Sequence, residues 1–222
     1  MEWRAYKVRC GDELCVLPQF VQLQAPCILE IVNECKAATE QESILNCYDY
    51  VCRNISYPLT WDGKATDYHK ISAFPSHIGI LGTSYRVSKT TEEFFQYPGE
   101  TLAWGSNGKG IGDCEDTSIL LTSLLRNFMP PDRVFCIIGN YQIFGHAWVQ
   151  VKLKDGNLAI LETTLTSAPP NPWRLAGPYS PYILFNDLVY LETGPIGTET
   201  RKFEAQKLRQ IRSLWRHPVK GV

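Results

Sequence analysis

The stretch that decides the fold runs from Gly110 to Leu121 and reads GIGDCEDTSILL, a glycine-rich turn followed directly by an apolar segment. Asp113 is predicted to be the N-cap of a helix, and Asp116, three residues later, completes an acidic version of the capping box. Cys114 then falls at the first helical position, where unpaired backbone N–H groups and the helix dipole favour a thiolate. A nucleophilic cysteine fits this position, and so does an ordinary buried one.

The segment after Cys114 is apolar on nearly every side of the predicted helix, which indicates a helix buried in the core and ended at Pro130. Two amphipathic helices precede it, one opened by Pro26 and one capped by Thr39. Runs typical of strands follow it at residues 133–139, 144–153, 158–165 and 182–191. Helices followed by a mostly antiparallel sheet predict an α+β fold, with the cysteine-bearing helix central and packed on the sheet.

We expect one domain over residues 1–222, with an N-terminal arm and helix (1–40), a core (41–191) and a basic amphipathic C-terminal helix (198–217). Residues 59–89 have no clear period and are predicted to be a long surface excursion. Residues 90–97 are predicted to form a helical turn that Pro98 ends. The C-terminal helix is expected either to pack on its own domain or to contact a membrane, an RNA or a protein partner.

Composition indicates an ordinary globular protein. Of its 222 residues 44% are hydrophobic, and the formal net charge is −1, so no global field attracts nucleic acid or an anionic membrane. Residues 1–20 carry six charges and no apolar run long enough for a signal peptide or a membrane span. We therefore expect a cytoplasmic protein. The eight cysteines lack the paired short spacings of a zinc site and are predicted to be mostly reduced core residues.

Two later motifs supply partners for a cysteine nucleophile, which needs a base and a group that orients the base. His146 lies in the sequence GHAWV near the start of a predicted strand, on the face opposite Ala147 and Val149. Glu162 lies in LETT, one predicted hairpin later, where an unpaired carboxylate in an apolar strand would be costly. His146 is the natural partner of Glu162.

The length of the hairpin loop tests this pairing. A two-residue loop at Asp155 and Gly156 would put His146 and Glu162 on opposite faces of the sheet, because side chains alternate along a strand. The pairing therefore predicts a loop of odd length, such as residues 155–157, or a bulge in one strand.

The motifs GDCED, GHAWV and LETT, in this order, resemble the transglutaminase-like cysteine protease superfamily, in particular its prokaryotic peptidase branch, over residues 41–191. The resemblance implies a papain/transglutaminase-like core. It also implies that Cys114 is the nucleophile, His146 the general base and then acid, and Glu162 the orienting acid, although the family more often has Asp at the last position. An upstream Gln or Trp assists the oxyanion in related enzymes, which makes Gln96 and Trp104 the candidates here.

These roles predict an enzyme that hydrolyses an amide bond of a peptide or protein through a thioester. Acyl transfer to an amine and a catalytically silent binding module are the alternatives. We expect no cofactor, no metal ion and no nucleic-acid partner. Some related peptidases bind calcium through acidic residues near the cysteine, so a Ca²⁺ site at Asp113, Glu115 and Asp116 is a further alternative. The same carboxylates oppose thiolate formation, whereas the helix start and a protonated His146 favour it.

Overall fold

The structure of the protein is a computed structural model that describes residues 5–6, 8–9, 14–58, 94–105, 107–169, 171–174 and 177–192. The surface excursion predicted at 59–89 and the basic helix predicted at 198–217 lie outside these residues. The helices are α1 (Pro26–Cys35), α2 (Glu40–Asn54), α3 (Pro98–Ala103) and α4 (Cys114–Leu125), with short 3₁₀ segments at Leu17–Phe20 and Pro172–Arg174.

Two of these helices begin where the sequence predicts. Pro26 is the first residue of α1, where its missing N–H costs nothing. Thr39 caps α2, because its Oγ1 accepts a hydrogen bond from the Glu42 N–H at 3.1 Å, and Glu42 Oε2 accepts one from the Thr39 N–H at 3.1 Å. The prediction for Pro98 is wrong. Residues 94–97 are irregular and Pro98 starts α3 instead of ending a turn, because its fixed φ suits a first helical turn.

Four short strands form two pairs, β1 (Ala5–Tyr6) with β2 (Cys15–Val16) and β3 (Ile55–Ser56) with β4 (Gly110–Ile111). Within the described residues the main sheet is antiparallel and has five strands, β5 (Val134–Tyr141), β6 (Phe144–Lys152), β7 (Leu158–Leu161), β8 (Tyr179–Phe185) and β9 (Tyr190–Glu192). Their order across the sheet is β7-β6-β5-β8-β9. The helix α4 packs on β5 and β6. The predicted α+β fold with a central buried helix on a mostly antiparallel sheet is confirmed.

The prediction of one strand over residues 182–191 is wrong, because a turn at Asn186 divides it into β8 and β9. Asn186 Oδ1 accepts a hydrogen bond from the Val189 N–H at 2.8 Å, and its Nδ2 donates to the Val134 carbonyl at 2.9 Å. One buried amide thus both shapes the turn and fastens it to β5.

Both faces of the sheet are covered near β6. On the α4 side, Val149 and Val151 join a core that includes Leu120 and Leu124. On the other side, Trp148 is fully buried in a smaller cluster with Phe135, Ile137 and Leu184. Burial on both faces fixes the register of β6, which is the strand that carries His146. No helix of the described ranges is long and apolar enough to cross a bilayer.

Glycines hold the start of α4 against the end of α2. The strands β3 and β4 pair in parallel, and the Gly112 N–H donates to the Ser56 carbonyl at 3.2 Å. A Cβ at Gly110 would lie 2.2 Å from the Thr101 carbonyl oxygen, and a Cβ at Gly112 would lie 2.6 Å from Cβ of Asp116. Neither position accommodates a side chain without movement of the backbone, so these glycines set where α4 begins.

Candidate active site

The carboxylate of Asp116 fixes the first turn of α4. The helix begins at Cys114 with Asp113 as its N-cap, and Asp116 Oδ2 accepts a hydrogen bond from the Asp113 N–H at 3.3 Å. Asp116 Oδ1 accepts a second one from the Gln96 N–H at 2.7 Å. The predicted helix start is confirmed, and the same side chain brings the segment that contains Gln96 to the cysteine end of the helix.

The hairpin between β6 and β7 has the odd loop length that the sequence predicts. Val149 pairs with Leu161, and the Leu153 N–H donates to the Asn157 carbonyl at 2.8 Å, which leaves three residues, 154–156, in the turn. Gly156, at φ +86°, occupies the left-handed position typical of such a loop. The loop is displaced by one residue from the predicted example, and its odd length puts positions 146 and 162 on the same face.

The structure brings His146 and Glu162 together. Nε2 of His146 lies 2.7 Å from Oε2 of Glu162, and both side chains are largely buried. The other carboxylate oxygen of Glu162, Oε1, accepts hydrogen bonds from the Thr164 N–H at 3.1 Å and the Thr164 hydroxyl at 2.7 Å. The additional methylene of Glu relative to Asp is therefore accommodated, and Nδ1 of His146 is the ring nitrogen directed away from the Glu162 hydrogen bond.

The pKa of Glu162 reflects two opposed influences. Burial alone raises it, but the hydrogen bond and charge of His146, together with the hydrogen bonds from Thr164, lower the pKa below its ordinary value. Glu162 is therefore a carboxylate at neutral pH, which can hold an imidazolium and fix the tautomer of a neutral ring.

Cys114 lies beside the strand that carries His146. Its sulfur is close to the backbone N–H of Ala147, the residue after His146. Its thiol donates a hydrogen bond to Oε2 of Glu115 at 3.2 Å. Among the described residues no hydrogen bond joins the Cys114 sulfur to the His146 ring. The Cys114 sulfur thus lies against the backbone of β6 next to His146, with the His–Glu pair formed and the thiol bonded to Glu115.

The environment of the Cys114 thiol disfavours the thiolate. Burial, followed by the negative charges of Glu115 and Asp113, raises the pKa of Cys114 well above its ordinary value. Burial and these two charges thus outweigh the helix start, which the sequence predicts to favour a thiolate. Burial and the charge of Asp116 also raise the pKa of Glu115, to about 7.

The two oxyanion candidates differ in position. Gln96 is buried at the first turn of α4 through the hydrogen bond that its backbone donates to Asp116. Trp104 follows α3 and its ring packs against Phe94, with 5.9 Å between the ring centroids. Gln96 is the candidate with a direct connection to the helix that carries Cys114.

Two tyrosines near the site were not predicted from the sequence. Tyr57 follows β3, and interactions with Cys114, Asp113 and Glu115 add to burial in raising its pKa. Tyr179, at the start of β8, donates its hydroxyl to Oε2 of Glu162 at 3.2 Å. Tyr57 reaches the site because β3 pairs with β4, which lies more than 50 positions later in the sequence. A local sequence pattern does not predict such a pairing.

A cluster of possible metal ligands surrounds the sulfur. One ligand atom from each of Asp113, Cys114 and Glu115 lies within 4.8 Å of the others. Carboxylate oxygens suit Ca²⁺, whereas a thiol sulfur does not, so Asp113 and Glu115 are the fitting donors. The carboxylate of Asp116 is occupied by two backbone N–H groups, which argues against its predicted part in this site.

Comparison with solved structures finds LapG of Legionella pneumophila. One structure of LapG has a TM-score of 0.48 and 13% identity, over 85% of this chain and 82% of that one. An EGTA-treated form has a TM-score of 0.49 and 13% identity over 85% and 84% of the two chains, and a calcium-bound form has 0.46 and 13% over 85% and 87%. No protein family and no curated protein matches the sequence.

Proposed function

We propose that this protein is a transglutaminase-like cysteine hydrolase that cleaves amide bonds of peptides or proteins through a thioester on Cys114. The observation that carries the proposal is the 2.7 Å pair between His146 Nε2 and Glu162 Oε2, formed beside a cysteine at the first position of a buried helix. A histidine oriented by a carboxylate next to a thiol is the arrangement that nucleophilic amide cleavage requires.

In the proposed reaction, Nδ1 of His146 accepts the thiol proton and the Cys114 sulfur attacks the substrate carbonyl carbon. The C–N bond breaks as the imidazolium returns the proton to the leaving amine, which leaves an acyl thioester. Water, deprotonated by His146, then attacks the thioester, and the carboxylic acid and the thiol are released. Glu162 keeps Nδ1 directed at the reaction and stabilises the imidazolium. The distance from thiol to imidazole is expected to shorten when substrate binds, as is common in such sites.

The oxyanion formed in each attack needs hydrogen-bond donors in place before the reaction. The backbone N–H of Cys114, at the N-terminus of α4, is one candidate because no helical carbonyl precedes it. The buried side chain of Gln96, fastened to the same helix start, is proposed as the second.

The cleavage proposal predicts new peptide termini. The wild-type protein and Cys114→Ala are incubated with a proteome-derived peptide pool and a biotin-labelled primary amine, and products are identified by mass spectrometry. We expect new termini with the wild type and none with Cys114→Ala. Biotin incorporated without new termini would favour acyl transfer. Equal products from both proteins would contradict a Cys114-dependent reaction and favour the catalytically silent binding module.

We include a Ca²⁺ ion at Asp113 and Glu115 in the proposal, because these two carboxylates lie together and their negative charges raise the pKa of the intervening thiol. When bound, the ion supplies positive charge next to the sulfur and removes this repulsion. Asp113 and Glu115 would hold the ion, and His146 would still transfer the proton.

Calcium is therefore expected to stabilise the protein and to speed alkylation of Cys114. Thermal unfolding is measured with CaCl₂, MgCl₂ or EGTA, above and below the Glu115 pKa of about 7. The shift in Tm with CaCl₂ should be larger above that pH, where Glu115 is ionised, and should disappear in Glu115→Gln. Asp132→Asn, which changes an exposed carboxylate, is the control and should keep the shift. An equal response of wild type and Glu115→Gln would contradict the site.

A further inference from the structure

Tyr179 completes the set of donors around the Glu162 carboxylate. Its hydroxyl donates to Oε2 at 3.2 Å, the same oxygen that receives His146 Nε2. Thr164 supplies the two donors to Oε1. Thr164 thus holds one carboxylate oxygen, Oε1, and Tyr179 shares the other, Oε2, with His146.

The ring of Tyr179 also borders the imidazole. It is stacked against His146 with 6.5 Å between centroids and an angle of 30°, and it packs on Trp148 and Tyr141 with centroids 4.9 Å away in each case. These contacts hold the ring on the same face of the sheet as His146. The hydroxyl is directed at Glu162 by a ring that these three contacts hold in place.

The strand register provides this placement. Tyr179 pairs with Tyr141 across β5 and β8, and the pairing shifts between Ile138 and Gly139. A Cβ at Gly139 would lie 2.2 Å from the Ser180 carbonyl oxygen and 2.8 Å from the Trp148 ring, so this close approach of β8 depends on glycine. The irregularity brings the start of β8 against the His–Glu pair.

We propose that Tyr179 is a positioning residue of the active site: its hydroxyl holds Oε2 of Glu162 in the orientation that directs Nδ1 of His146 at the Cys114 thiol. The inference rests on the proposed function and deepens it. Tyr179 touches neither the thiol nor the reacting carbonyl in this role and acts through Glu162.

The charge states fit this role over the working pH range. Burial, followed by the charge of Glu162, raises the pKa of Tyr179, so its hydroxyl remains a donor. The other titratable groups that face Glu162 are His146 on β6 and, from α2, Tyr48 and Cys52, whose pKa values burial raises and the charge of Glu162 raises further. Both α2 groups therefore remain protonated and uncharged, and Glu162 is the charged group that the Tyr179 hydroxyl faces.

The test measures the rate of Cys114 alkylation by iodoacetamide across pH for the wild type, Tyr179→Phe and Tyr182→Phe, each also in a Glu162→Ala background. Tyr182→Phe is the matched control, because it lies on the same strand and loses a hydroxyl that is bonded to Asn140. Loss of a hydrogen bond to a charged group predicts about tenfold slower alkylation for Tyr179→Phe, with the acidic limb of the profile moved to higher pH. The control should match the wild type.

The Glu162→Ala background separates positioning from structure. Tyr179→Phe should have no further effect there, because the group through which it acts is gone. An equal loss in both backgrounds, or wild-type behaviour of Tyr179→Phe, would overturn the role of Tyr179. His146→Ala, measured alongside, distinguishes the two failures: slow alkylation in His146→Ala with unchanged Tyr179→Phe rejects only the Tyr179 inference, whereas unchanged alkylation in His146→Ala rejects the proposed function with it.

Discussion

His146→Ala is expected to lower kcat/KM for peptide cleavage by about 10³-fold, the usual contribution of a positioned general acid and base. Without the imidazole, the thiol loses its proposed proton acceptor and keeps its hydrogen bond to the Glu115 carboxylate. The leaving amine also loses its proton donor. The measurement uses a substrate found in the peptide pool, with wild type and variant at equal concentration of folded protein.

A control is needed because the substitution leaves Glu162 without its main partner. The histidine is the largest influence that lowers the pKa of this buried carboxylate, so His146→Ala is expected to be less stable as well as less active. Gln142→Ala, in the exposed turn between β5 and β6, is the control and should keep full activity. If His146→Ala folds and retains more than about a tenth of the wild-type kcat/KM, His146 is not the general base.

Glu162→Ala is expected to reduce kcat/KM by about 10²-fold or more, because the imidazolium loses its counter-charge and the ring its fixed tautomer. Glu162→Gln keeps the size of the side chain and the possibility of a hydrogen bond but not the charge. Glu162→Gln should remain impaired, because the negative charge is lost. Glu162→Asp should recover activity only as far as the shorter side chain reaches His146.

The same carboxylate predicts a pH-dependent stability. The folded protein lowers the pKa of Glu162 below its ordinary value of 4.5, so its contribution to the free energy of unfolding is fully present above that value and is lost as the pH falls through the folded pKa. Urea unfolding of Glu162→Gln should therefore differ most from the wild type near neutral pH and least in acid. The opposite trend would contradict an ionised Glu162.

Glu40→Gln is a matched control for these variants. Glu40 is also a partly buried carboxylate with a lowered pKa, chiefly because Arg133 bonds to it, with 2.7 Å between Arg133 Nη2 and Glu40 Oε1. Glu40 is the first residue of α2 and has no described contact with Cys114, His146 or Glu162. Its loss should reduce stability in a similar pH range and leave cleavage unchanged, which separates the general cost of a lost ion pair from loss of catalysis.

Features set by neighbouring residues could be predicted from the sequence. The start of α4 depends on Asp113, Cys114 and Asp116, which are adjacent in the chain. The common face of His146 and Glu162 depends only on the alternation of side chains and on whether a loop length is odd or even. Both were predicted, and the observed loop confirms the parity on which the pair depends.

Features set by distant residues could not be predicted in this way. The turn that divides β8 from β9 is held by Asn186 through the carbonyl of Val134, and Tyr179 reaches Glu162 through an irregular pairing with β5. The pKa of Cys114 depends on how deeply its sulfur is buried, which outweighs the helix start that the sequence displays. The charge and spacing of residues along the chain do not predict these contacts or the depth of burial.

The most direct test of the central claim, a thiol site made by Cys114 and His146, is alkylation by iodoacetamide resolved cysteine by cysteine with mass spectrometry. Wild type and His146→Ala are compared with CaCl₂ present, and Cys27, the other partly exposed cysteine among those described, is the internal reference. We predict that Cys114 of the wild type reacts at least about tenfold faster than Cys27 and that His146→Ala removes this advantage. Equal rates at Cys114 and Cys27, unchanged by His146→Ala, would contradict the claim.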